Sequence, residues 1–142
     1  DRLLWNTGFH FGEWLIPSEK KGLSHREACE GSAFYTTPIF GYLSVRIMAE
    51  IAKLLGKTEA GYYLSTAEKM KDAIQKALIR DGSLPTENMG AYVLMIALNL
   101  VPENCKVTFA EKLVFLALYY RVSSDFLLGL SEREAGSQRR LT

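Results

Sequence analysis

The sequence predicts an all-α fold built from antiparallel helical hairpins. Three observations carry that expectation. Apolar residues recur at three- and four-residue steps over most of the chain. No stretch sustains the every-other-residue alternation of a strand. The helical stretches are joined by short connections, which favour antiparallel neighbours.

The stretch to about Tyr35 is the exception. Trp5, Phe9, Phe11, Trp14, Leu15 and Ile16 are dense and apolar but hold no helical period, and Gly8, Gly12, Pro17 and Gly22 punctuate them. An ordered loop region is expected there. Ser24-His25-Arg26-Glu27 has the spacing of a capping box and predicts a short helical turn.

A first long helix is expected from Thr37. Thr37 can cap, and Pro38 suits the first helical position. Phe40, Leu43, Ile47, Ile51 and Leu54 then form one stripe, with Arg46, Glu50 and Lys53 on the other face, and Gly56 is a natural stop. Thr58 can cap a second helix whose apolar stripe is Tyr63, Ala67, Met70, Ile74 and Ala77. The charges Lys69, Lys71, Asp72 and Lys76 read as its solvated face, and Asp81-Gly82 ends it. A third helix is expected from about Glu87 to Leu100. It carries no charge from Ala91 to Val101, so it is expected to be buried, and Pro102 closes it. Thr108-Phe109-Ala110-Glu111 is a second capping-box spacing, opening a fourth helix to about Tyr120. Ser123 could cap a short fifth one.

Composition narrows the function classes. The 142 residues are 48% hydrophobic and 23% charged, ordinary globular values that exclude a disordered chain. Seventeen Lys and Arg against sixteen Asp and Glu give a net charge of +1, without the positive excess of a nucleic-acid binder. Cys29 and Cys105 lie far apart and form no Cys-x-x-Cys pair; they read as buried free thiols in a reducing, cytoplasmic setting. The apolar run Ala91–Val101 is too short to span a bilayer. His10 and His25 have no Cys or carboxylate spacing that would make a metal site, and no phosphate-cradling glycine motif is present. Hence no metal, cofactor, membrane or nucleic-acid partner is expected. The chain opens on Asp1-Arg2-Leu3-Leu4-Trp5 without an initiator Met, which reads as a cut from something longer.

The segment Gly8-Phe9-His10-Phe11-Gly12-Glu13-Trp14-Leu15 resembles the Gly-Asp-Trp-Leu-type motif of bacterial α-L-rhamnosidases. The resemblance continues through Tyr35-Thr36-Thr37-Pro38, the stretch Arg46–Lys57, Tyr62-Tyr63, Thr86–Tyr92 and Leu98–Glu103, and so covers roughly Gly8 to Leu113. It implies an (α/α)6 barrel, a ring of six helical hairpins of which this chain supplies about two. It also implies inverting hydrolysis of terminal α-linked L-rhamnose by two carboxyl groups, with a water held between base and sugar. The family's acid lies upstream of the motif and its base in a later hairpin loop, and neither segment is found here. The chain alone is therefore expected to be inactive, with no catalytic residue of its own.

Within that resemblance the candidate substrate-binding residues are Glu13, Trp14 and His10. An indole ring can cover the apolar C–H face of a sugar while a carboxylate beside it accepts hydroxyl hydrogen bonds. Glu13 stands where the family more often has Asp, one methylene shorter. The competing reading makes Trp14 a core residue, Glu13 a loop cap and His10 a packed histidine. Thr86, Glu87 and Asn88 fall where a barrel loop would meet an inner helix, although capping accounts for Thr86 equally well.

Past Leu113 the resemblance changes. Leu116 to Ser131 looks like the end of a repressor-type helix-turn-helix domain, without the helix that would read DNA, and Ser137-Gln138-Arg139-Arg140 is a short basic tail. The expected organisation is thus residues 1–35 as a substrate-facing loop region, 36–113 as hairpins of a partial barrel, and 114–142 as terminal helices and a basic tail, read either as a coincidental match or as a piece of different origin. The alternative function is a helical interaction or regulatory module with a repressor-like end. An opened barrel would expose Val93, Ile96 and Leu100, so self-association through that face is expected.

Overall fold

A computed structural model of the chain describes residues 3–12 and 22–120. The fold is all-α. Among the described residues four helices follow one another: α1 (His25–Leu54), α2 (Ala60–Leu78), α3 (Met89–Ala97) and α4 (Lys106–Tyr120), the last entered through a 3-10 turn at Glu103–Cys105. Among the described residues no strand forms; one isolated bridge pairs Arg80 with Ser83. The chain divides into two compact units, residues 1–79 and 80–142. The expected fifth helix at Ser123 and the basic tail lie outside the described residues.

The first unit is a loop followed by the α1–α2 hairpin. Helix α1 does not begin at Thr37. It starts at His25 and runs for 30 residues with Pro38 inside it. The capping box is real and opens this long helix: the Glu27 backbone N–H donates to Ser24 Oγ at 3.2 Å, and the Ser24 N–H donates to Glu27 Oε2 at 2.8 Å. The helical period crosses the proline because a face of small residues carries it. Ala28, Cys29, Ser32, Ala33 and Thr36 are buried, and Ile39 and Tyr42 continue the same face. A face so poor in large apolar groups gives little hydrophobic signal, which is why the sequence reads as loop there. Its two hydroxyls are satisfied within the helix, Ser32 Oγ donating to the Cys29 carbonyl and Thr36 Oγ1 to that of Ser32. Pro38 has no N–H to give the Phe34 carbonyl, a loss that ordinarily costs about 3 kcal/mol; its complete burial helps offset that.

The buried face of α1 also differs from the expected stripe. Ile39, Tyr42, Ala49 and Ala52 turn inward, whereas Phe40, Ile47, Ile51 and Leu54 are exposed by 51%, 49%, 44% and 84%. Helix α2 packs on α1, Gly41 leaving room for Met70. From α2 the buried residues are Ala67, Met70, Ile74 and Leu78, a seam at four- and three-residue steps close to the one expected. Glu59 rather than Thr58 occupies the N-cap. Gly56, at φ +62°, ends α1 as expected: the N–H of Lys57 reaches the Ala52 carbonyl at 2.8 Å and that of Gly56 the Lys53 carbonyl at 3.1 Å, a Schellman closure.

The second unit begins with a tight turn. Asp81 and Gly82 both have positive φ, 49° and 77°, and Arg80 and Ser83 exchange both backbone hydrogen bonds around them. This is a two-residue hairpin turn with the mirror-image twist, not a helix stop; α2 has already ended at Leu78. Helix α3 is shorter than expected at both ends. Asn88 caps it, its side chain accepting from the Ala91 N–H at 3.0 Å, and Thr86 Oγ1 in turn accepts from the Asn88 N–H at 3.1 Å. At the far end Asn99 adopts φ +53° and the Leu100 N–H bonds back to the Met95 carbonyl at 2.8 Å. That closure turns Leu100 into the core. Leu100 is fully buried, as are Ala91, Tyr92 and Met95, so it is not part of an exposed face, while Val93 and Ile96 are half-buried. Helix α4 begins two residues before Thr108, after a Lys106–Glu103 ion pair at 2.6 Å. Phe109, Leu113, Leu116 and Ala117 are its buried seam.

Candidate functional site

The loop before α1 is held against the first turns of that helix, and the two together form a cleft of about 250 Å³. The loop contributes Asn6, Gly8, Phe9 and His10. Helix α1 contributes Glu30, Ala33 and Phe34, which share one face by their three- and four-residue spacing.

The loop owes its position to a glycine. Gly12 has φ +56°, and a Cβ there would strike the Ser32 hydroxyl, the Cys29 carbonyl and the Ala33 nitrogen. Only a residue without a side chain lets the loop backbone lie directly on the small-residue face of α1. Upstream, Leu4 is buried and its carbonyl accepts from the Asn6 N–H at 2.8 Å.

His10 is placed by two contacts. Its Nε2 donates to the Thr7 carbonyl at 2.9 Å, and its ring meets Trp5 edge-on with centroids 5.1 Å apart. A carbonyl can only accept, so the proton sits on Nε2 and Nδ1 is left as the second polar handle of the ring. Phe9 packs edge-on against Phe11 at 5.0 Å, and the Arg26 guanidinium lies over the Phe9 ring at 5.4 Å from its centroid. Arg26 Nε also donates to Glu30 Oε1 at 2.8 Å. Phe34 stands edge-on to Tyr35 and is half exposed.

The cleft therefore offers a carboxylate, an amide and an imidazole beside two phenyl rings. Such a set can accept and donate hydrogen bonds to hydroxyls while covering apolar C–H groups. Of the three residues expected to bind substrate, His10 lines this cleft; Glu13 and Trp14 lie outside the described residues. Asn6, Glu30 and Phe34 are additional lining groups that the sequence did not reveal. The spacing of Arg26 and Glu30, four apart just inside a capping box, signals an ion pair but not a place in a cleft. His25 is exposed, its Nε2 3.6 Å from the buried Cys29 Sγ. Thr86 and Asn88 belong to the other unit and serve the cap of α3. Cys29 and Cys105 are both buried free thiols. Among the described residues no group of three or more His, Cys, Asp or Glu could hold a metal ion, and no helix is long and apolar enough to cross a membrane.

Comparison with known proteins assigns this helical architecture. Residues 1–119 match the model of the bacterial alpha-L-rhamnosidase 6 hairpin glycosidase domain, so by class the chain belongs with the all-α six-hairpin glycosidase domains. It belongs to the bacterial α-L-rhamnosidase family. The match extends through Tyr119 and so includes nearly all of α4, past the change of resemblance expected near Leu113. An alpha-L-rhamnosidase of Streptomyces avermitilis is 29% identical over 120 residues, covering 82% of this chain. The chain spans 11% of the length of that relative. No solved structure matches.

Proposed function

We propose that the chain forms part of the sugar-binding wall of an α-L-rhamnosidase that releases terminal α-linked L-rhamnose with inversion. The observation that carries this reading is the loop–α1 cleft, which His10, Phe9 and Phe34 line together with Glu30. His10 Nδ1 accepts a sugar hydroxyl. Glu13 and Trp14, which follow Gly12 in the chain, are the other two proposed sugar contacts, a carboxylate and an indole.

The hydrolytic step needs a general acid at the leaving oxygen and a general base on the opposite face, separated by roughly 6.5–9.5 Å to admit water. In this proposal the acid belongs to a segment upstream of Gly8–Leu15 and the base to a later hairpin loop, neither supplied by these residues, so this chain binds sugar and does not turn it over. The exposed apolar stripe of α1, from Phe40 to Leu54, supports its place in a ring of hairpins, because such a ring covers that face with a neighbour. Residues 1–35 are then the proposed substrate-facing part. A carbohydrate is the proposed partner, and the cytoplasm the proposed location.

The test uses the purified chain with L-rhamnose and with an aryl α-L-rhamnoside. Saturable shifts of the His10 ring resonances on adding L-rhamnose, without release of the aryl group, are expected. Absence of any shift removes the binding reading. Turnover that disappears in Glu13→Ala removes the claim of inactivity.

A further inference from the structure

We propose that Glu30 is the hydroxyl-accepting carboxylate of the loop–α1 cleft and that Arg26 is its positioning residue. The inference rests on the reading of this cleft as a sugar site and names the group on α1 that would hold the ring.

Glu30 is the charged side chain among the residues lining the cleft. It lies one helical turn before Ala33 and Phe34, so α1 presents a carboxylate next to an apolar pair on one face. That is the pattern a sugar ring demands, with hydroxyls at one edge and C–H groups beside them. A cleft of about 250 Å³ sits below the ~300–1,000 Å³ of sites for drug-sized ligands and suits a single ring.

Arg26 does not line the cleft, yet both residues it holds do. Its Nε donates to Glu30 Oε1 at 2.8 Å, and its guanidinium covers the Phe9 ring at 5.4 Å. The ion pair uses one oxygen of the carboxylate, and a carboxylate has lone pairs to spare for a hydroxyl. The two side chains are 75% and 46% exposed, so the pair contributes little to stability. Its consequence is orientation: one planar group fixes a helix carboxylate and a loop phenyl ring to each other across the cleft.

The full chain is titrated with L-rhamnose and followed by amide NMR, alongside Glu30→Gln, Arg26→Met, Arg26→Lys and the Glu30→Gln/Arg26→Met double variant. Glu30→Gln is expected to weaken binding about tenfold, the scale of a hydrogen bond to a charged group. Arg26→Met weakens it severalfold with unchanged helicity and thermal midpoint, and Arg26→Lys restores most of the loss. The double variant binds no worse than Glu30→Gln alone, because Arg26 acts through Glu30. Wild-type affinity in Glu30→Gln overturns the inference and leaves the sugar site standing. A lowered thermal midpoint in Arg26→Met with unchanged affinity makes Arg26 structural and overturns its positioning role. Failure of the unaltered chain to bind L-rhamnose overturns the sugar site and this inference together.

Discussion

The Tyr92 hydroxyl donates to the Leu84 carbonyl at 2.7 Å, tying the segment before α3 to the first turn of that helix. Both residues are sealed from solvent, and the Tyr92 ring tilts against Phe109 of α4 at 5.2 Å. One side chain thus joins the loop, α3 and α4. Tyr92→Phe keeps the ring and removes the donor, stranding a buried acceptor at a cost of about 1–3 kcal/mol. Urea denaturation is expected to show a lower midpoint with an unchanged slope.

Gly12 and Gly8 both have positive φ, but only Gly12 lies against backbone. Gly8→Ala is expected to cost about 1 kcal/mol, the strain of that conformation alone. Gly12→Ala adds a collision with α1 and is expected to lift the loop from the helix. Loss of the ring-current shifts from the Trp5–His10 contact in Gly12→Ala, and their retention in Gly8→Ala, would show it.

The Ser24 hydroxyl and backbone N–H, in that order, hold the Glu27 carboxyl below its ordinary value of 4.5. Its affinity for a proton is therefore higher in the unfolded chain. The stabilisation is complete above the ordinary glutamate value and is lost as pH falls through the lower folded one. Helicity followed by circular dichroism should decline over that acid range, and Glu27→Gln should flatten this part of the profile. Ser24→Ala removes the cap itself, a change worth about 0.5–2 kcal/mol at helix N-termini.

Asn99 stands at φ +53° in the residue that closes α3. Glycine adopts this conformation without a Cβ penalty, so Asn99→Gly is expected to raise stability by up to about 1 kcal/mol. Asn99→Val should lower it by more, because a β-branched residue resists positive φ. Thermal midpoints of the two variants, shifted in opposite directions, check the assignment.

The helical class was legible because the apolar period of α2 is strong and recognisable stop signals stand at Gly56 after α1 and at Pro102 after α3. The start of α1 was not. Proline at a helix start is locally favoured, and only the burial of Ala28, Cys29, Ser32, Ala33 and Thr36 reveals that the helix precedes it. Likewise α3 was extended to Leu100 because its composition stays apolar, while the left-handed Asn99 is a tertiary outcome that brings Leu100 into the core. His10 could be singled out from its motif. Glu30 and Asn6 could not, because the cleft joins residues more than twenty positions apart, and such a meeting is set by Gly12 packing on α1 rather than by any local pattern.

The single 30-residue span of α1, about 45 Å of continuous helix, has a thermodynamic consequence. Its early turns present Glu30, Ala33 and Phe34 to the cleft, and its later turns supply Ala49 and Ala52 to the buried face of the hairpin. Occupancy of the cleft and folding of the hairpin are therefore linked equilibria. A bound sugar should raise the unfolding free energy of residues 1–79 by RT ln(1 + [L]/Kd). Amide hydrogen exchange along the whole of α1 would slow with it, far beyond the residues the sugar touches.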